Sequence, residues 1–184
     1  MKYLLTDIET DRLTFRVLEE NDFETWKPLF YEADAIKFLV LDATKSVDEL
    51  CRYWFDKAFH RYENDLGGMN VLIDKLTGQF IGQCGLLIQD YEGVDFMEVG
   101  YSILPAHWGK GYASEAAIKC KEEAFHRNYT DHLRSIVHVD NIGSAAVALK
   151  NGMQLERKID DYEGAPINMF GISKKRFIAQ SDKR

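Results

Sequence analysis

The sequence predicts an α/β (α+β) fold, in which one mixed, mostly antiparallel sheet of six to seven strands carries about four helices on its faces. Segments in which apolar and polar residues alternate are interspersed with segments of helical period, in the order β-α-α-β-β-β-α-β-α-β-β. Three strands in the centre follow one another through short turns, as in an antiparallel meander. The length of 184 residues and a hydrophobic share of 46% predict a single domain, residues 1–184.

The N-terminal third combines one strand with two helices. Residues 12–18 alternate with a period of two, which predicts a half-buried strand, and Glu20, Asn21 and Asp22 then supply helix-capping side chains for a helix to about residue 31. Ser46 and Glu49 form a capping-box pattern that opens a second helix. Residues 33–45, between the two helices, show no clear period.

The centre of the chain predicts three consecutive strands, at residues 69–73, 79–89 and 94–104. The first two are joined by a five-residue connection that ends in Gly78, which is typical of a hairpin. The third strand is long enough to cross a sheet, and Pro105 ends it.

The C-terminal half begins with a helix at Tyr112, whose small apolar residues recur every three or four positions and permit close approach to a sheet. A strand at 133–139, a helix at 142–151 closed by Gly152, and strands at 153–159 and 167–173 follow.

Composition and charge exclude several classes of protein. Cys51, Cys84 and Cys120 are odd in number and lack metal-ligand spacing, so we expect reduced core thiols and no metal site. A net charge of -7 without clusters of Lys and Arg argues against binding to nucleic acid or anionic lipid. Residues 1–7 reach an acid too early for a signal peptide, and no apolar run is long enough to span a membrane, so we expect a cytoplasmic protein.

The most informative segment is residues 100–116, a strand that breaks at Pro105 and enters a helix through Gly109-Lys110-Gly111. Glycines let the backbone approach a ligand closely, and amides at a helix N-terminus bind anions, so a pyrophosphate would fit here. A tight turn without a ligand would explain the same glycines. Neither the P-loop spacing nor the triple glycine of dinucleotide-binding proteins is present, since Ser114 stands where a third glycine would be required.

This segment resembles the acyl-coenzyme A signature of the GCN5-related N-acetyltransferases, Gln/Arg-x-x-Gly-x-Gly/Ala. Residues 108–113 match it at Gly111 and Ala113, whereas Trp108 replaces the usual Gln or Arg. Residues 10–16, 78–82, 141–144 and 150–153 are similar to elements of the ribosomal-protein N-acetyltransferase (RimJ/RimL-like) branch. The resemblance therefore covers nearly the whole chain.

The resemblance implies that acetyl-coenzyme A is the co-substrate, that no metal is needed, and that an amine is acetylated by direct attack. It implies that strands 4 and 5 splay apart, with a bulge at Gly100, and that pantetheine lies in the gap. The residues implied to bind coenzyme A are Ile103, Trp108, Gly109, Lys110, Gly111, Tyr112, Ala113, Ser114 and Asn141.

Glu98 and Ser144 are the candidate catalytic residues. Glu98 shares a strand face with Phe96 and Gly100, so a carboxylate with a raised pKa could act there as base; an edge or surface carboxylate is the alternative. The tyrosine acid of many family members corresponds to Ala148, and the RimJ/RimL-like branch suggests Ser144 instead, although Ser144 also suits helix capping. Asn141 could cap the same helix, bind pantetheine, or do both.

Other reactive side chains are interpreted as structural. His107 precedes the glycine loop and His138 lies on a strand, and neither is assigned a catalytic role. Cys120 lies on the apolar helix face and belongs to the core.

The acceptor cannot be identified from a motif. A protein N-terminus, a polyamine, an aminoglycoside or another small amine all remain open, and we expect its pocket at residues 33–45 and 160–166, where Asp160, Asp161 and Glu163 would attract a cation. A non-catalytic acyl-coenzyme A-binding module, or a site for another phosphate-bearing ligand, are the alternative functions. The protein is expected as a monomer or homodimer.

Overall fold

The computed structural model describes residues 2–6 and 8–181, apart from the side chain of Ser181. Asp7, on which the argument against a signal peptide depends, lies outside them. No helix in the described part of the chain is both long enough and apolar enough to cross a membrane.

Seven strands form one sheet in the order β1-β2-β3-β4-β5-β7-β6. The β4–β5 pair is parallel and the other neighbours are antiparallel, which confirms the predicted mixed sheet. The strands are β1 Leu13–Arg16, β2 Gly67–Asp74, β3 Phe80–Tyr91, β4 Val94–Ile103, β5 His132–His138, β6 Gln154–Tyr162 and β7 Ala165–Ser173.

Within the described residues six α-helices accompany the sheet: α1 Phe23–Trp26, α2 Ala33–Phe38, α3 Val47–Glu63, α4 Tyr112–His126, α5 Ile142–Lys150 and α6 Lys174–Ser181. The expected helix up to residue 31 is shorter than predicted, because α1 passes into a 3-10 turn that contains Pro28, a residue without a backbone N–H. The sequence also did not predict α2, which has six residues and lies in the aperiodic segment, or α6 at the C-terminal end of the described chain.

The capping box at the start of α3 is confirmed. The Glu49 amide donates to Ser46 Oγ at 3.3 Å, and the Ser46 amide donates to Glu49 Oε2 at 2.8 Å. Helix α3 packs on one face of the sheet and α4 on the other, so neighbouring residues of β2 face different cores, Val71 toward α3 and Leu72 toward α4. The thiols of Cys84 and Cys120 are buried and free in the α4 core, as expected.

Strands β4 and β5 splay apart as expected, because they pair only at Met97 with Leu133 and at Glu98 with Arg134. The bulge expected at Gly100 is wrong: the register between β3 and β4 advances one residue at a time from Gly82–Ile103 to Tyr91–Val94. Close packing explains the glycine at position 100 instead, since a Cβ there would stand 2.8 Å from the Leu87 side chain.

Candidate active site

A cavity of about 700 Å³ opens where β4 and β5 separate. Its walls come from the loop before α4, the first turns of α4 and α5, the facing parts of β4 and β5, and helices α2 and α3. Clefts between separating strands are common ligand sites because they expose backbone groups as well as side chains.

The loop before α4 builds an anion cradle from backbone. Gly109 has φ 73° and Gly111 has φ 84°, the left-handed region that glycine tolerates best. Gly111 is the N-cap of α4, and no side chain within the described residues caps it. The first amides of α4 therefore point out of the helix without an intrahelical acceptor, and the positive end of the helix dipole favours a phosphate group there.

Two side chains from elsewhere hold this loop in place. Arg12 donates from Nη1 to the Lys110 carbonyl at 3.1 Å and from Nε to Glu115 Oε2 at 2.6 Å, and its guanidinium lies 4.3 Å from the centre of the Tyr112 ring. The Tyr112 hydroxyl donates to Asp74 Oδ2 at 2.9 Å. The turn between β2 and β3 and the segment before β1 therefore both support the start of α4.

Trp108 occupies the position where the signature has Gln or Arg, and it closes the loop onto β4. Its indole Nε1 donates to the Ile103 carbonyl at 2.6 Å, while nearly half of the residue (48%) stays exposed. All of the residues expected to bind coenzyme A line the cavity except Lys110, whose Nζ donates to the Ala106 carbonyl at 2.8 Å.

The backbone of β4 faces the gap in the way that the resemblance implies. The Leu104 amide donates to the Ile81 carbonyl at 3.0 Å, so in the alternating antiparallel ladder the peptide groups of Ile103 and Tyr101 point away from β3. Strand β5 has already diverged there. The Ile103 amide and the amide and carbonyl of Tyr101 thus face the gap, where they could pair with a bound pantetheine chain, while the Ile103 carbonyl already accepts the Trp108 indole.

Glu98 lies at the point of divergence and is 7% exposed. Its Oε1 accepts the amide of Ile136 at 3.2 Å and its Oε2 accepts Nε2 of Gln89 at 2.7 Å. Burial raises the pKa of Glu98, while the hydrogen bonds from Gln89 and Ile136 and the charge of Arg61 act in the opposite direction. The expected direction of the pKa shift is confirmed, and the alternative, an edge or surface carboxylate, is excluded.

Gln89 and Arg61 form a hydrogen-bonded chain that ends at Glu98. Arg61 Nη2 donates to Gln89 Oε1 at 2.7 Å, and Arg61 Nη1 donates to the carbonyls of Leu66 and Ile88 at 3.1 and 3.0 Å. Because its oxygen is engaged by Arg61, the Gln89 amide presents its nitrogen to Glu98. No pattern in the sequence indicated this chain, since its members come from α3, β3 and β4.

Ser144 and Asn141 lie at the start of α5. Asn141 Oδ1 accepts the Ser144 amide at 2.9 Å, so Asn141 caps the helix, which was one of its possible roles. The Tyr101 hydroxyl donates to the Ser144 carbonyl at 2.8 Å, and burial raises the pKa of Tyr101 to about 12. Tyr101 was not among the site residues predicted from the sequence, although it lies two residues before Ile103 on the same strand. Ala148 is buried in the core and does not line the cavity.

Comparison with known proteins decides the family. The profile of the Acetyltransferase (GNAT) domain matches residues 12–154. The chain belongs to the GNAT acetyltransferase family. The Bacillus subtilis protein YkkB, described as uncharacterized, is 33% identical over 158 residues, which cover 84% of this chain and 88% of YkkB. YoaA from the same organism, an uncharacterized N-acetyltransferase, is 28% identical over 177 residues, 92% of this chain and 97% of YoaA.

Solved structures share the GNAT fold. An acetyltransferase from Agrobacterium tumefaciens has a TM-score of 0.75 at 23% identity, covering 94% of this chain and 96% of its own. A spermidine N-acetyltransferase from Vibrio cholerae, in complex with CoA and spermine, has a TM-score of 0.72 at 17% identity, with coverage of 92% and 99%. RimL, a ribosomal L7/L12 α-N-protein acetyltransferase in complex with coenzyme A, has a TM-score of 0.69 at 18% identity, with coverage of 93% and 97%.

The protein is therefore an acetyl-CoA-dependent N-acetyltransferase with a GNAT fold, as the sequence predicted. The loop at Gly109 and Gly111 and the part of the β4 backbone that faces the gap fit coenzyme A, because they offer amides to a pyrophosphate and a backbone edge to pantetheine.

Helices α2 and α3 and the hairpin between β6 and β7 line the part of the cavity where an acceptor was expected, called the acceptor side below. Both segments in which the pocket was expected contribute, through residues 34–41 and through Tyr162 and Glu163. Of the three acids expected to attract a cation, Asp160 and Asp161 do not line the cavity, and Asp161 Oδ1 accepts the amide of Gly164 in the hairpin turn.

His107 and His138 both line the cavity. The His138 Nδ1 accepts the amide of Asp140 at 3.2 Å, and its ring packs against Phe38 at 5.4 Å between centroids. The ring of His107 meets that of Tyr112 edge-on at 6.1 Å, and burial lowers the pKa of His107. These contacts agree with the structural interpretation of both residues.

Proposed function

We propose that this enzyme transfers the acetyl group of acetyl-coenzyme A to a primary amine by direct attack in a ternary complex. Bound acetyl-coenzyme A would supply an activated acyl group, held by the amides of residues 108–114 and by the β4 backbone at Ile103. The observation that carries the proposal is Glu98, a buried carboxylate that lines the same cavity as the cradle.

Glu98 is assigned the role of base. An amine is a cation at neutral pH and must lose a proton before its nitrogen can attack a carbonyl carbon. Glu98 takes this proton, directly or through a water, before the attack. As the new C–N bond forms, the nitrogen gives up its second proton to solvent, and the C–S bond then breaks. The raised pKa of Glu98 brings its proton affinity closer to working pH, where a base is most effective.

Ser144, supported by Tyr101, is assigned to the leaving sulfur. Both residues line the cavity, and the Tyr101 hydroxyl interacts with Ser144 and Ser135. The Tyr101 phenol stays protonated at neutral pH because burial raises its pKa to about 12. Ser144 gives its hydroxyl proton to the departing sulfur and regains one from solvent, and Glu98 returns its proton to solvent, which restores the site to its starting state. Tyr101 keeps its proton and its hydrogen bond to the Ser144 carbonyl.

Two structural neighbours carry the names of amine acetyltransferases, one for spermidine and one for the α-amino group of a ribosomal protein. They support an amine acceptor in this enzyme, within the range of protein N-terminus, polyamine, aminoglycoside or other small amine.

The test is thiol release from acetyl-coenzyme A with a panel of amines, in the wild type and in Glu98→Gln and Ser144→Ala. Glu98→Gln keeps an oxygen to accept the Ile136 amide, and we expect its kcat to fall by about 10²- to 10⁴-fold with unchanged coenzyme A binding. Glu92→Gln, an exposed change in the turn between β3 and β4, is the matched control and should retain wild-type kcat. A wild-type kcat in Glu98→Gln would remove Glu98 from the mechanism.

A further inference from the structure

The acceptor side of the cavity has apolar walls. Helix α2 with the residues that follow it, helix α3 and strand β3 present aliphatic and aromatic side chains to it. An apolar group of a ligand would therefore be removed from water when it binds there. The residues that form these walls are Phe38, Leu39, Leu41, Tyr53, Trp54 and Leu87.

Charged groups on this side nearly cancel. Three carboxylates, Asp34, Glu98 and Glu163, and two cations, Lys57 and Arg61, line the cavity from α2, α3, β4 and the hairpin between β6 and β7, whereas a third cation, Lys150, lines it from the end of α5. Of these carboxylates only Glu98 is buried, while Asp34 and Glu163 are exposed at the rim. The three carboxylates outnumber the two cations by one, so this side suits a ligand with one positive charge. Each further ammonium group of a ligand would come close to Lys57 or Arg61, and no second buried carboxylate would offset the repulsion.

Helix α2 covers this side. It precedes α3 in the half of the molecule that contains β1 to β4, yet its C-terminal turn contacts the end of β5 across the splay. The Phe38 ring packs on His138, and Lys37 Nζ lies 2.7 Å from Asp140 Oδ2. A polypeptide acceptor would therefore have to displace α2, whereas a small molecule would fit beneath it.

We propose that the acceptor is a small primary amine with a single positive charge and an apolar body, such as an aryl or alkyl group. The amine reaches Glu98 while the body packs against the walls from α2, α3 and β3. This inference rests on the proposed acetyl transfer and narrows its acceptor.

The test compares phenethylamine, spermidine and a hexapeptide with N-terminal Phe, by thiol release at saturating acetyl-coenzyme A. Burial of the phenyl group is expected to favour phenethylamine over spermidine by about tenfold or more in kcat/KM. The hexapeptide carries the same side chain, so a lower kcat/KM for it would reflect the cover formed by α2. A preference for spermidine or for the hexapeptide would overturn the inference and leave acetyl transfer to amines intact. Absence of thiol release with every amine, despite thermal stabilisation by coenzyme A, would overturn the proposed function together with the inference.

A charge substitution in the enzyme tests whether the acceptor side prefers an amine with one positive charge. Lys57→Glu adds a carboxylate to the acceptor side and should raise kcat/KM for spermidine several-fold at low salt while changing that for phenethylamine much less. Lys175→Glu makes the same change in net charge on α6, away from the cavity, and should leave the ratio of the two substrates unchanged. Equal effects of Lys57→Glu on both amines would contradict the inference.

Discussion

The two ends of the cavity are built from different parts of the polypeptide. The proposed coenzyme A cradle consists of backbone, with Gly109 and Gly111 at positive φ and the first amides of α4, whereas the proposed acceptor side consists of side chains from α2, α3 and a distant hairpin. A backbone site requires glycines at a fixed spacing, so it leaves a motif in the sequence. A side-chain site can be assembled from any positions that the fold brings together, so it leaves none.

The larger of the expected effects on this comparison comes from a change in the glycine loop before α4. Gly109 has φ 73° and Gly93 has φ 78°, and a Cβ at either position would meet no atom within 4 Å. An alanine in this conformation costs about 1–2 kcal/mol, so both Gly109→Ala and Gly93→Ala strain the backbone to a similar extent. We expect Gly109→Ala to weaken coenzyme A binding by about tenfold, as measured by calorimetry, because the loop leaves the cradle conformation.

Gly93→Ala is the matched control, since it lies in the turn between β3 and β4, and it should retain wild-type coenzyme A affinity. The KM for the amine should be the same in both variants. Equal coenzyme A affinities in Gly109→Ala and the wild type would show that the loop is a turn without a role in binding.

The fold was predictable where local signals were strong. The period-two alternation in the strands and the capping box at Ser46 located most elements to within a few residues. Helix α2 was not predicted because six residues are too few to show a helical period. Its position depends on contacts with His138 and Asp140, which are distant in the sequence. The bulge at Gly100 was wrong because a glycine in a strand has two explanations, and here packing against Leu87 is the one that applies.

The candidate site was also predictable only in part. The glycines at 109 and 111 indicated either an anion site or a tight turn, the resemblance to the GNAT family implied the coenzyme A positions around them, and Glu98 was proposed from its place on an apolar strand face. Gln89, Arg61 and Tyr101 could not be predicted, because each acquires its neighbours through tertiary contacts across 9 to 43 positions in the sequence.

The second prediction concerns the side-chain network around Glu98. The Gln89 amide favours the ionised carboxylate, so Gln89→Leu should raise the pKa of Glu98 further. A base must be deprotonated to act, so activity rises with pH through the pKa of Glu98, and this acidic limb should move to higher pH in Gln89→Leu. We expect kcat/KM on that limb to fall about fivefold, with coenzyme A affinity unchanged.

Gln83→Leu provides the control for this pH profile. Gln83 lies on the same face of β3, and its side chain accepts the Trp54 indole at 3.2 Å instead of contacting Glu98. Its acidic limb should therefore stay at the wild-type pH. If both variants shift the limb equally, the effect comes from the general environment of β3 and the hydrogen bond to Glu98 is not its cause.

The smallest expected effect lies at the end of α2. Val40 has φ 53°, an unusual conformation for a β-branched residue, and it ends α2 where the Leu41 amide donates to the Ile36 carbonyl at 3.0 Å. Glycine occupies this conformation without strain, so Val40→Gly should raise the free energy of unfolding by up to about 1 kcal/mol relative to Glu92→Gly, which replaces an unbranched residue at φ 55°. Urea denaturation measures this difference. Val40→Gly should alter coenzyme A affinity less than twofold, because α2 lies on the proposed acceptor side. A tenfold change, as expected for Gly109→Ala, would mean that the two ends of the cavity are energetically coupled.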